Sequence, residues 1–150
     1  MPGDGVIREY SPEMFDACRK LFIEVFNSEP WNDCWTQESA GARLQEFVDN
    51  RRFFGFTLWE GETLVGAVFC HGSTYCKGGE VFIDELFVSP ACQRKGVGKA
   101  LMEAVEVYAR REGYTIITLL TNREYPSFGF FKGFGCRESE FMVWMFKKII

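Results

Sequence analysis

Apolar and polar positions change period along the chain, and each change marks an element. Val6–Tyr10 reads as a short additional strand at the start. Ser11-Pro12-Glu13 predicts a helix start, with Ser as N-cap and Pro at the first helical position. Met14, Leu21, Phe22, Val25 and Phe26 then form an apolar face at helical spacing. Residues 27–33 (Asn-Ser-Glu-Pro-Trp-Asn-Asp) break that period and predict a loop. Thr36 is placed to cap a second helix carrying Ala40, Leu44, Phe47 and Val48 on one side.

From residue 53 the period shortens. Phe53–Trp59 and Leu64–His71 are rich in aromatic and β-branched residues and flank Glu60-Gly61-Glu62, a hairpin signature. Residues 73–79 form a polar, glycine-containing loop. Val81–Val88 is a further strand, ended by Ser89-Pro90. A long helix follows, with Val97, Leu101, Ala104, Val105, Tyr108 and Ala109 on one face and Gly113 as its stop. Tyr114–Thr121 is apolar on both faces and predicts a central strand. A short Phe-rich helix around Ser127–Lys132 and a last strand, Phe141–Phe146, complete the order. The last strand is apolar on both faces too, so it is either covered within the fold or joins a homodimer interface. The order α-α-β-β-β-α-β-α-β predicts a mixed α/β (α+β) domain on one central twisted sheet flanked by helices.

Composition narrows the function classes. A chain of 150 residues suits one domain, 1–150, large enough to bury its own core. Its apolar stretches are too short for a membrane span, and the first residues lack the layout of a secretory leader. A net charge of −4, from 17 basic against 21 acidic residues, gives no general attraction for nucleic acid, so phosphate binding must be local. The 6 cysteines are widely spaced without a CxxC pair, and there is a single histidine, His71. No zinc or other metal site is expected, and the cysteines read as reduced thiols of a cytoplasmic protein.

The chemistry concentrates between Val81 and Lys99: strand, Pro, a basic glycine-containing loop, then a helix. A helix start leaves backbone N–H groups without intrahelical partners and carries partial positive charge. Gly96 and Gly98 let a phosphate approach that backbone, and Arg94, Lys95 and Lys99 add cationic charge. The P-loop spacing GxxxxGK[ST] is not met, and the dinucleotide pattern GxGxxG fails because Lys99, Ala100 and Leu101 follow Gly98. What remains is Gln93-Arg94-Lys95-Gly96-Val97-Gly98, directly after the strand ending Glu85-Leu86-Phe87-Val88-Ser89-Pro90.

This stretch resembles the GCN5-related N-acetyltransferase (GNAT) family, whose pyrophosphate motif is [Arg/Gln]-x-x-Gly-x-[Gly/Ala] at a strand-to-helix junction. Asn122, the Phe130-Phe131 pair and Gly135-Cys136 are a looser counterpart of a later family pattern. The resemblance implies an acetyl-CoA-dependent transfer of acetyl to a primary amine, on a small molecule or a peptide, without a metal. It implies that Leu86, Phe87 and Val88 line the pantetheine arm and that the loop from Gln93 to Lys99, Val97 included, holds the pyrophosphate. Asn122 and Phe131 join the cofactor set. A non-catalytic acyl-CoA-binding or sensing domain is the alternative, because Phe131 stands where family members often place a proton-donating Tyr.

Acetyl transfer needs a base for the amine and, for the leaving thiolate, a proton donor. Glu85 and Asp84 sit mid-strand, where buried carboxylates are unusual, and are the first and second candidates for the base; pairing with a basic residue is the competing explanation for each. Tyr125 is the candidate donor in place of Phe131. Trp31, Asp33 and Trp35 would make an aromatic, acidic seat for a cationic amine, or serve only as loop anchors. His71, alone at a strand end, reads chiefly as an ordinary surface or capping residue.

Overall fold

The computed structural model describes residues 5–150. The leader reading therefore rests partly on residues 1–4, which lie outside the described residues. The chain divides into two compact units, 1–120 and 121–150.

The first unit is organised by its sheet. β1 (Val6–Glu9), β2 (Phe53–Glu60), β3 (Thr63–Thr74), β4 (Gly79–Val88) and β5 (Ile116–Leu119) lie in that spatial order. The first four pair antiparallel and β5 joins β4 in parallel. β2 and β3 turn at Gly61, whose φ of 62° suits glycine. Tyr114–Thr121 was expected to be a central strand; among the described residues β5 is instead a four-residue edge strand, with Ile116 exposed. Its apolar composition does not distinguish an edge from a centre, since pairing depends on neighbours far away in sequence.

The helices cover both faces. α1 (Phe15–Phe26) and α2 (Gln37–Val48) share a core with Leu64, Ala67, Phe69 and Phe87 of the sheet. Thr36 caps α2 as predicted: its side chain accepts from Ser39 N–H while Ser39 Oγ accepts from Thr36 N–H. The start of α1 differs from expectation. Pro12–Met14 forms a separate 3₁₀ turn, and Ser11 makes no side-chain cap.

α3 (Val97–Arg111) packs on the other face. Tyr108 stacks on Phe54 at 3.9 Å. Gly66 of β3 admits the start of α3, since a Cβ there would lie 2.6 Å from Val97 Cγ1. That contact fixes the height of the first turn of α3 above the sheet.

The second unit holds α4 (Pro126–Phe134), which ends at Gly135 with φ 109°. Arg123 pairs with Glu138 at 2.6 Å. The strand expected at Phe141–Phe146 is absent: the segment has no regular secondary structure, and all six side chains are exposed. Strand-forming composition needs a partner strand to become a strand, and this unit supplies none.

Candidate active site

The loop after β4 has the form of an anion seat. Arg94 and Gly96 both take left-handed φ, 62° and 84°. Gly96 is the N-cap of α3 and no side chain caps the helix. The first intrahelical bond runs from Ala100 N–H to Gly96 O. The N–H groups of Val97, Gly98 and Lys99 thus precede the intrahelical ladder. Arg94 and Lys95 are exposed, as is Lys99, whose Nζ lies 3.9 Å from Glu103 in a solvent-screened pair. Gln93 plays a different part, donating its side-chain N–H to Val88 O at 3.2 Å and closing the loop back on β4. Val97 is buried, so only its backbone faces outward chemistry.

β4 outruns its partner. The ladder to β5 ends at Ile83 paired with Leu119, while β4 continues to Val88. Ser89 N–H donates to Val65 O at 2.8 Å, which makes Gly66 and Val88 a non-hydrogen-bonded pair. By alternation Val68 and Leu86 form another. The N–H and C=O of Leu86 and Val88 therefore point away from β3, on the side that β5 has left. An extended chain of amides fits such an edge as an added strand does. The Phe87 side chain is not available to it: the ring is buried against Phe22, Phe26 and Phe69.

A bulge in β4 gathers the titratable groups. Phe69 pairs with Glu85 but Cys70 pairs with Ile83, leaving Asp84 as the extra residue. Glu85 shares the face of Phe69, toward α1 and α2. His71, two residues on from Phe69, shares it as well, and its Nδ1 meets Asp84 Oδ2 at 2.8 Å. Burial raises the Asp84 pKa, opposed by the hydrogen bond and charge of His71 and by Arg43. Burial pushes the Glu85 carboxyl up to about 7, against the pull of Arg43, while Asp84 and Asp33 add to the rise. Arg43 of α2 reaches Glu85 Oε1 with Nη2 at 3.4 Å.

Arg43 was missed in the sequence, where it is one basic residue on an exposed helix side; its partner lies 42 positions away. His71 was underrated because its Asp partner is supplied by the bulge, which no local pattern announces.

The 27–36 loop is anchored, not loose. Asn27 and Trp35 exchange two hydrogen bonds, 3.0 and 2.8 Å, and Trp35 Nε1 donates to Asp33 at 3.0 Å. Trp35 packs on Phe22 and Trp31 on Phe26. Asp33 remains exposed, with its charge felt at Glu85.

In the second unit, Asn122 Oδ1 accepts from Glu124 N–H at 2.8 Å. Tyr125 is the N-cap residue of α4, and Phe131 is buried, 5.1 Å from the Phe130 ring.

The comparisons agree with this geometry. The profile described as acetyltransferase (GNAT) family matches residues 13–136. No curated protein matches. Among solved structures, the aminoglycoside N-acetyltransferase AAC(6')-Iy in complex with CoA is 20% identical, with 97% of this chain and 95% of that chain covered and a TM-score of 0.76. A possible acetyltransferase from Clostridium difficile 630 is 14% identical, with 97% and 99% covered and a TM-score of 0.81. An aminoglycoside acetyltransferase from an uncultured soil metagenomic sample, in complex with sisomicin, is 18% identical, with 97% of each chain covered and a TM-score of 0.75. These likenesses establish a shared fold, and the family match spans both units: the chain belongs to the acetyltransferase (GNAT) family.

Proposed function

We propose that this N-acetyltransferase acetylates a primary amine on a small cationic molecule, with Glu85 as the proton acceptor and the whole chain acting as one domain. The observation that carries the reading is the placing of Glu85: a half-buried carboxyl, pushed up to about 7 by burial, one residue from a backbone edge open to a ligand. A base is most effective when its pKa lies near the working pH. Asp84 is turned to His71 and is proposed as its anchor. Exposed Glu29 and Asp33, with Trp31 and Trp35 beside them, favour a cationic acceptor over an anionic one. Two of the three structural neighbours described above are aminoglycoside acetyltransferases, which fits that class without naming this chain's acceptor.

Acetyl-CoA supplies the activated acetyl thioester. The backbone of Leu86 and Val88 orients the pantetheine arm along β4, and the N–H groups of Val97 to Lys99 hold the pyrophosphate beside Arg94 and Lys95. Gln93 keeps the loop closed for that task. Glu85 takes the proton from the acceptor's ammonium, leaving the neutral amine as nucleophile. Phe131 has no proton to give, so Tyr125 is the proposed donor to the leaving sulfur, and Asn122 completes the cofactor set. The exposed run Phe141–Phe146 supports a second copy of the chain as its partner, which light scattering over a concentration series tests. Six free cysteines fit a reducing cytoplasm.

Calorimetric titration with acetyl-CoA and with CoA, followed by turnover on an amine panel, tests the whole. Saturable binding near one site per chain with turnover on a cationic amine is expected. Binding without turnover on any amine would favour the non-catalytic acyl-CoA-binding alternative. No binding at millimolar acetyl-CoA would overturn the loop assignment.

A further inference from the structure

We infer that Arg43 is an exchangeable counter-ion of the acceptor site: it aims Glu85 before the acceptor arrives and yields that place to the acceptor's ammonium. The inference rests on the reading of Glu85 as proton acceptor. Three observations carry it. The contact is single and long, 3.4 Å from one guanidinium nitrogen to one carboxylate oxygen, where charge-assisted pairs close to about 2.7–2.9 Å. The Arg43 side chain is 44% exposed and that of Glu85 18%, so the cation lies on the solvent side of the acid, where an incoming amine must arrive. The guanidinium also lies 4.7 Å from the centre of the Phe47 ring, one turn along α2, and this second seat remains when the first is given up.

The charges around Glu85 explain why a cation is kept there. Asp84 stands beside it on β4, Asp33 bears on it from the loop between α1 and α2, and His71 faces Asp84. A neighbouring carboxylate disfavours ionisation, and Arg43 offsets that. An ammonium offers the same positive charge in a smaller group that also carries the proton to be removed. Arg43 is thus a positioning residue, and it also selects against acceptors too weakly cationic to replace it.

The test is the pH dependence of kcat/KM for a monoamine acceptor in the wild type, Arg43→Met, Arg43→Lys and Glu85→Gln, with acetyl-CoA affinity measured alongside. Met keeps a stem over Phe47 without charge; Arg43→Gln carries the same test if the Met variant fails to fold. The acid limb of Arg43→Met is expected to move up by roughly 1 pH unit, the lower end of the effect of one opposite charge. Above that limb its KM for the amine should fall several-fold, because no resident cation has to leave. Arg43→Lys should restore the limb, and acetyl-CoA affinity should not change. A limb unmoved in Arg43→Met, in a protein where Glu85→Gln abolishes it, would overturn the role of Arg43 and spare Glu85. Equal displacement in the Met and Lys variants would also overturn it, since charge would then not be what matters. A wild-type limb in Glu85→Gln would instead remove Glu85 as the base.

Discussion

The two halves of the site are made of different material. The loop from Gln93 to Lys99 is built from backbone: left-handed φ at Arg94 and Gly96, a helix start, and N–H groups ahead of the intrahelical ladder. The cluster of Glu85, Asp84, His71 and Arg43 is built from side chains brought together from β4, β3 and α2. The loop is exposed, and its proposed binding of pyrophosphate rests on geometry. The carboxylates of the cluster are half-buried, with Arg43 on their exposed side, and the proposed role of the cluster rests on altered ionisation. A backbone site tolerates changes of side chain but not the addition of bulk, and a side-chain site has the opposite sensitivity.

Exchanging those sensitivities is the way to break the comparison. The largest effect is expected at Glu85→Gln, which keeps shape and removes the base: kcat should fall on the order of 10²–10⁴-fold, with acetyl-CoA affinity nearly unchanged. An equal loss of cofactor affinity would show that the two halves are not separable.

The same substitution should stabilise the protein. The folded pKa of Glu85, about 7, lies above its ordinary 4.5, so the folded state holds the proton more tightly. Wild-type stability contributed by this group is present below 4.5 and lost as pH rises through 7. Glu85→Gln should therefore unfold later at pH 8, by about 2–3 kcal/mol, with the difference gone near pH 4. Denaturant titrations at both pH values check the sign.

Gly98→Val should weaken acetyl-CoA binding about tenfold, about 1.4 kcal/mol, and leave the melting curve in place; calorimetry reads both. The smallest effect is expected at Gly66→Ala. A Cβ there must displace Val97 Cγ1 from 2.6 Å and lift the first turn of α3. Acetyl-CoA affinity should drop about threefold, roughly 0.65 kcal/mol. An unchanged Kd would mean that the loop does not depend on the height of α3.

Legibility follows the same division. The strand, the turn at Gly96 and the helix start that follows were readable because a turn of this kind leaves its mark in adjacent residues. Thr36 was readable as a cap for the same reason. Glu85 and Asp84 could be picked out as misplaced carboxylates, but not their partners. Arg43 and His71 acquire their meaning from the pairing of Phe69 with Glu85 and the extra residue that follows, a register fact. The edge position of β5 was hidden likewise, since its apolar residues fit either place. The start of α1 was misread because Pro12 suits a 3₁₀ turn as well as an α-helix.

The exposed Phe141–Phe146 run has a consequence for handling the protein. A six-residue segment without charge, proline or glycine is the composition that stacks with copies of itself. Glu140 precedes it, and Lys147 and Lys148 follow. These flanking charges act as gatekeepers: in register, stacked copies place like charges against one another. Salt shortens the reach of that repulsion to about 3 Å at 1 M. High-salt buffers, a habitual choice for keeping proteins in solution, should therefore shorten the shelf life of this one.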